Sequence, residues 1–229
     1  MKVLIIIPAY NEEKTIEKVV DELKGHNFDY DYLIVNDGST DKTGEICLAR
    51  GFNAIHLPIN LGVGGGMQAG YKYAYENGYD IAMQMDGDGQ HDPGFIPALI
   101  APVSDNSADY VIGSRYLEKK GFQSSCLRRQ GIKLLNSIIY LFSKLRIKDA
   151  TSGFRVVNRE LIRLFSQNYA QDYPEPEAII QAAARGYRIM ELPVIMRERI
   201  AGESFVNQWS ALYYIIKVTM SIAVSGVRG

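Results

Sequence analysis

Only two cysteines, Cys47 and Cys126, occur in 229 residues, and their spacing fits neither a metal-ligating pair nor a disulfide framework. That scarcity points to a reducing compartment. The net charge of −1 removes the support that overall basicity would lend to nucleic-acid binding. No run of about 18 uncharged apolar residues is present, so no simple transmembrane span is expected. The amino terminus lacks the longer apolar stretch, ending in small residues, that a signal peptide needs; Lys2 to Ile7 reads as a strand instead. Internal repeats, low-complexity tracts and linkers are missing too. What is there, 47% hydrophobic and 22% charged residues, is an ordinary globular composition that can bury the core of one α/β domain.

The first half alternates strand and helix patterns. Val3 to Ile7 is a continuous β-branched and leucine run, as expected of a strand covered on both faces. Pro8-Ala9-Tyr10-Asn11 breaks it, and Glu12 to Lys24 then places Ile16, Val19, Val20 and Leu23 at helical spacing. Tyr32 to Val35 is a second buried strand, and Thr40 or Asp41 can cap the helix that follows to Arg50. Asn53 to Leu57 is a third strand. The glycine loop Gly62-Val63-Gly64-Gly65-Gly66 opens a helix to Glu76, and Tyr79 to Met85 is a central strand. Pro93 starts a helix, and Asp109 to Ile112 is a fifth strand. This alternation implies a parallel, helix-covered sheet whose ligands bind beyond the carboxyl ends of its strands. The polar clusters at Pro8–Glu12, Asp37–Ser39, Asp86–Gln90 and Ser114–Arg115 all fall at such ends.

The second half differs. Gly131 to Ile147 predicts a helix with a wide apolar face, Arg155 to Val157 a short strand, and Arg159 the start of a helix. Another helix begins at Tyr173-Pro174-Glu175-Pro176-Glu177. Pro193 in the strand Arg188 to Met196 marks an edge or bulge. Ala211 to Val224, with Tyr213, Tyr214 and Lys217, reads either as a core-packing helix or as one lying in a lipid headgroup region.

The centre of the chain is Asp86-Gly87-Asp88-Gly89-Gln90-His91. Carboxylates at i and i+2 on a strand end point to one side, and two such charges are costly unless a cation neutralises them. Hard oxygen ligands suit magnesium or manganese together with substrate phosphates. The alternative is a solvated Asp/Gly turn. His91 can assist at such a site or make a local hydrogen bond. Arg115, Arg128, Arg129, Arg197 and Arg199 are candidate phosphate clamps. Gly64-x-Gly66-x-x-Ala69, with Asp86 about 20 residues on, also matches a variant dinucleotide fingerprint. That reading makes the chain a nicotinamide-dependent oxidoreductase, but two strands precede a motif that belongs on the first.

Taken in order, the motifs Ile7-Pro8-Ala9-Tyr10-Asn11-Glu12, Val35-Asn36-Asp37-Gly38-Ser39-Thr40-Asp41, Asn60-Leu61-Gly62, Asp86 to His91, Gly113-Ser114-Arg115-Tyr116, Thr151-Ser152-Gly153-Phe154-Arg155 and Arg199-x-x-Gly202-x-Ser204 carry a resemblance. Over residues 1 to 205 the chain resembles family-2 inverting glycosyltransferases of the GT-A fold. The branch it is most similar to makes polyprenyl-phosphate sugars, as dolichol-phosphate mannose synthase does.

The resemblance implies a single catalytic domain over 1–229, with a nucleotide-sugar-binding half (1–115), an acceptor half (116–205) and a C-terminal helix (206–229). It implies that Pro8, Tyr10, Glu12, Val35, Asp37 and Gly62 hold a UDP- or GDP-hexose, and that Asp86, Asp88 and Gln90 hold magnesium or manganese. Arg115 and Arg129 would bind the phosphate of a polyprenyl acceptor, and Arg199 the donor phosphates. If the acceptor is instead a sugar hydroxyl, a base is needed, and Glu177 or Glu175 is the candidate. Ser204-Phe205 replaces the usual serine-lysine pair, which leaves mannose unassigned. The expected location is cytoplasmic and peripheral, at the inner membrane face, through the membrane surface itself or a small membrane-protein partner.

Overall fold

A computed structural model describes residues 1–118, 126–171 and 174–198. Among these, seven strands form one sheet in the order β3-β2-β1-β4-β6-β5-β7. They are β1 (Val3–Ala9), β2 (Asp31–Asn36), β3 (Ala54–His56), β4 (Ile81–Gln84), β5 (Tyr110–Ser114), β6 (Arg155–Asn158) and β7 (Ile189–Pro193). The neighbouring pairs are parallel except those made by β6, which runs antiparallel between β4 and β5. The sheet is therefore mainly parallel, as expected, but the later strand β6 is inserted where a purely sequential reading would pair β4 with β5. β7 lies at the edge, where Pro193 withdraws no needed ladder donor.

Both faces are covered, which explains the unbroken apolar run of β1. Leu4 and Ile6 face helices α3 (Gly62–Glu76), α5 (Cys126–Ser143), α6 (Arg159–Gln167) and α7 (Pro174–Ala184). Val3, Ile5 and Ile7 face α1 (Ile16–Gly25), α2 (Thr43–Ala49) and α4 (Ile96–Ser104). Helix starts follow local chemistry. The Asp41 carboxylate accepts the Thr43 N–H at 2.9 Å, and the Asn158 amide oxygen accepts the Leu161 N–H at 3.0 Å.

The structure corrects the expected glycine loop: Gly62 already belongs to α3. Glycine is a poor helix former, but here close packing outweighs propensity. A Cβ on Gly64 would lie 2.1 Å from the Ala170 carbonyl oxygen, and one on Gly70 would lie 2.4 Å from Ile6 Cγ2. The helix expected from Glu12 begins later: residues 13–15 form a hydrogen-bonded turn, and α1 starts at Ile16. Ala211 to Val224 lies outside the described residues.

Candidate active site

The ends of β1, β2, β4 and β5 converge on one edge of the sheet, and a hydrogen-bond network fixes the loops of the first two. Asn11 adopts φ +57°, and its side-chain oxygen accepts the backbone N–H of Thr40 at 2.8 Å and of Asp41 at 3.3 Å. Its own N–H donates to Ser39 Oγ, and the Glu12 N–H donates to Thr43 Oγ1 at 2.8 Å. Glu12 also accepts the Thr15 hydroxyl at 2.6 Å, and its backbone carbonyl accepts the N–H groups of Thr15 and Ile16 at the start of α1. Pro8 and Tyr10 are half-buried along this wall, and Val35 is fully buried beneath it.

Asp37 is buried at the end of β2 and accepts the Leu61 N–H at 2.8 Å, just before α3. Burial pushes its carboxyl above the ordinary carboxylate range, against the pull of the Leu61 and Gly62 amides. Gly38, at φ +64°, passes so close to the 59–60 backbone that a Cβ would lie 2.6 Å from the Asn60 nitrogen. Gly62, at φ +76°, lets the chain turn into α3 beside Asp37.

Beyond β4 the chain turns through Gly87 and Gly89, the latter at φ +78°. The backbone at Gly87 leans on β1, where a Cβ would lie 3.2 Å from the Pro8 carbonyl oxygen. The Asp86 side chain is about a third exposed, whereas Asp88 is buried and accepts the Gln90 N–H at 2.9 Å. Asp86 rests on Gly153: a Cβ there would meet its carboxylate oxygens at 2.6 and 2.8 Å. Gln84 donates to Asp86 Oδ1 at 3.0 Å, while its own buried amide oxygen has no partner among the described residues. The Asp86 and Asp88 carboxylates, one on each side of Gly87, offer the hard oxygen donors that suit a divalent cation.

His91 takes the local role. Its Nδ1 accepts the Asp86 N–H at 3.0 Å, and its ring stacks on Phe154 at 4.5 Å. The Gln90 amide donates to the Arg197 carbonyl at 3.2 Å, and His91 bridges Met196, so residues 194–198 are fastened to the aspartate loop. Arg197 itself pairs with Glu22 and Asp92. Those pairs tie it to α1 and to the end of the aspartate loop. Arg199 lies outside the described residues, as does the Gly202 motif.

Arg115 is placed at the site by a partner the sequence reading did not single out. Its guanidinium makes a two-pronged contact with the buried Asp149, at 2.7 and 2.6 Å, and a bond to Thr151 at 2.9 Å. Burial opposes its charge, but the Asp149 bonds outweigh that and hold its pKa above the usual arginine value, with the Asp86 field adding to the rise. Glu191 on β7 anchors the Lys148 and Asp149 amides in turn. Arg129 is in the first turn of α5, the helix that follows β5.

Glu175 and Glu177 are half-buried in the first turn of α7. Burial pushes the Glu175 carboxyl up, the Arg155 charge opposes this, and the Asp86 carboxylate reinforces it. Arg155, fully buried, ties this region together through the carbonyls of Glu175, Ala150 and Ser152 and the Tyr110 hydroxyl.

The dinucleotide reading does not survive this geometry. The strands flanking α3, β3 and β4, are separated by β2 and β1, so no single βαβ crevice exists there. Gly64, moreover, is pressed against the 170–171 backbone.

The sequence model of glycosyl transferase family 2 matches residues 4–165. The chain is 36% identical over 212 residues to a UDP-N-acetylglucosamine–dolichyl-phosphate N-acetylglucosaminyltransferase of Methanococcus voltae, covering 84% of each. It is 30% identical over 228 residues to an undecaprenyl-phosphate mannosyltransferase of Micrococcus luteus, covering 96% of this chain and 93% of the relative. Among solved structures, the glucosyl-3-phosphoglycerate synthase of Mycobacterium tuberculosis, in complex with Mn2+, UDP and phosphoglyceric acid, superposes with a TM-score of 0.72 at 20% identity. That match covers 98% of this chain and 78% of the other, and it identifies the GT-A fold.

Proposed function

Because the chain belongs to glycosyl transferase family 2, we propose that it moves a hexose, with inversion, from a UDP- or GDP-sugar to a polyprenyl phosphate for cell-surface glycan synthesis. The observation that carries this reading is the Asp86–Asp88 turn at the end of β4, with the Asp86 carboxylate seated on Gly153 beside the buried Gln84. Two curated relatives that act on lipid phosphates support the acceptor class.

Pro8, Tyr10, Glu12, Val35, Asp37 and Gly62 hold the nucleoside, along the wall fixed by Asn11. Asp86 and Asp88, with Gln90, would hold magnesium or manganese, which when bound would supply charge stabilisation for a departing diphosphate. Arg115, kept rigid by Asp149, and Arg129 position the acceptor phosphate, and Arg199 serves the donor phosphates. An acceptor phosphate oxygen forms the new bond to the anomeric carbon as the bond from that carbon to the nucleotide's outer phosphate oxygen breaks. With a second pKa of about 6, a phosphate monoester is already largely ionised near neutral pH, so no side chain has to remove a proton. The positioning arginines then do most of the work. Such an enzyme works peripherally, at the cytoplasmic face of the membrane; among the described residues no helix is long and apolar enough to cross one.

A sugar hydroxyl as acceptor is the second reading, favoured by the raised carboxyl of Glu175 near Asp86, which is suited to a base. Calorimetric titration of UDP and GDP, with and without manganese, tests the donor site. One nucleotide should bind in a metal-dependent way, and Asp88→Asn should abolish that binding. Binding that is unchanged in the variant would sink the metal assignment. Glu175→Gln and Glu177→Gln should keep turnover on a lipid phosphate, and loss of turnover with donor binding retained would favour the hydroxyl route.

A further inference from the structure

Helix α5 has two unlike faces. Leu135 and Ile139 are buried in the core beside α7, as α5 and α7 pack together. The opposite face exposes Leu134, Tyr140 and Leu141, which are 50%, 43% and 63% accessible, with Lys133 and Ser137 beside them. These positions recur at i, i+3, i+6 and i+7 from Leu134, a single stripe along the helix. Exposed leucines and a tyrosine gathered on one helix are unusual on a water-facing surface.

The charges around the stripe say what covers it. Between Glu118 and Asp149 the sequence has eight lysines and arginines and no aspartate or glutamate, in a chain whose net charge is −1. Lys144, Arg146 and Lys148 are exposed just past the helix, and the Arg146 guanidinium lies over the Tyr140 ring at 5.8 Å. Apolar side chains fringed by long cationic ones, with tyrosine between, suit the boundary of an anionic bilayer. The leucines enter the acyl region there, while lysine and arginine reach the headgroups.

We propose that the Leu134–Leu141 face of α5 is a docking surface for an anionic lipid bilayer. This rests on the lipid-phosphate reading for its purpose: seating α5 in the headgroups holds the chain at the surface where a lipid's phosphate lies. It goes beyond that reading by assigning membrane contact to α5 rather than to residues 206–229.

The test is sedimentation of the full chain with phosphatidylglycerol-containing vesicles and with pure phosphatidylcholine vesicles, both free of polyprenyl phosphate and nucleotide. Membrane docking is then read whether or not the acceptor assignment holds. The wild-type chain should favour the anionic vesicles, and added salt should weaken that preference. The double variant Leu134→Glu/Leu141→Glu should bind about tenfold less. Metal-dependent nucleotide binding in the same variant should stay at the wild-type level, which also shows that it folds. Lys144→Gln/Arg146→Gln, altering charge alone, should reduce the anionic preference without affecting nucleotide binding. The proposal is overturned if both variants sediment like wild type, as they would if residues 206–229 made the contact. It is equally overturned if the leucine variant changes self-association but not vesicle binding, which would make the stripe a contact between copies of the chain.

Discussion

Two side chains at the site are positioned by residues far away in sequence, and both relationships can be tested. Asp86 sits against Gly153, where any Cβ would approach its oxygens to 2.6 and 2.8 Å and the Gln84 amide nitrogen to 2.9 Å. Gly153→Ala should therefore displace the Asp86 carboxylate. The expected outcome is metal-dependent nucleotide affinity lowered by at least about tenfold, roughly the loss of one well-made charge-assisted contact, measured by calorimetry. Asp149 has the opposite kind of role, since it neutralises Arg115 in a buried pair. Asp149→Ala leaves that guanidinium buried with its main partner gone, and should cost about 3–5 kcal/mol in urea unfolding. Of this arrangement, the sequence displayed Asp86, Asp88, Gly153 and Arg115 in recognisable motifs. Asp149 was not legible, because its partner is 34 positions away and nothing in local spacing links them. Gln84 left a usable signal, a polar side chain inside an otherwise apolar strand run.

Among the secondary-structure elements, legibility followed how local the causes are. β1 and β2 declared themselves as apolar runs, and α1 by its Ile16, Val19, Val20, Leu23 spacing. The glycines of α3 misled because they read as a loop, whereas they exist to let a helix press on β1 and the 170–171 backbone. The insertion of β6 between β4 and β5 depends on long-range pairing that no local pattern encodes. The edge position of β7 was visible in Pro193, but what pins its start to β5 was not. Arg188 donates to both oxygens of Asp109, at 2.9 and 2.8 Å, and these bonds hold the Asp109 carboxyl below its ordinary value of 3.8. A depressed carboxylate stabilises the fold above its unfolded pKa, and that contribution is lost as pH falls through the lower, folded value. Melting temperature should therefore drop below about pH 4 partly through Asp109. In Asp109→Asn that component of the acid sensitivity should vanish, alongside a lower melting temperature at pH 7. An unchanged acid profile in the variant would contradict the pairing.

For the molecule as a whole, a two-sided sheet gathers loops from β1, β2, β4 and β5 on one edge, and the segment after β7 returns to clasp the aspartate loop through Gln90 and His91. Asp86 and Arg115, proposed to serve the donor's metal and the acceptor phosphate, follow β4 and β5 at that same edge. The central claim is metal-dependent transfer of a hexose onto a lipid phosphate, and the most direct measurement is a transfer assay with extraction of the lipid product. UDP-glucose, UDP-N-acetylglucosamine and GDP-mannose would each be incubated with undecaprenyl phosphate, with manganese or with excess chelator. One donor should give a glycosyl phospholipid of inverted anomeric configuration, and chelator should abolish it. No lipid product from any donor, alongside transfer to a sugar hydroxyl or product formation that persists in chelator, would contradict the account.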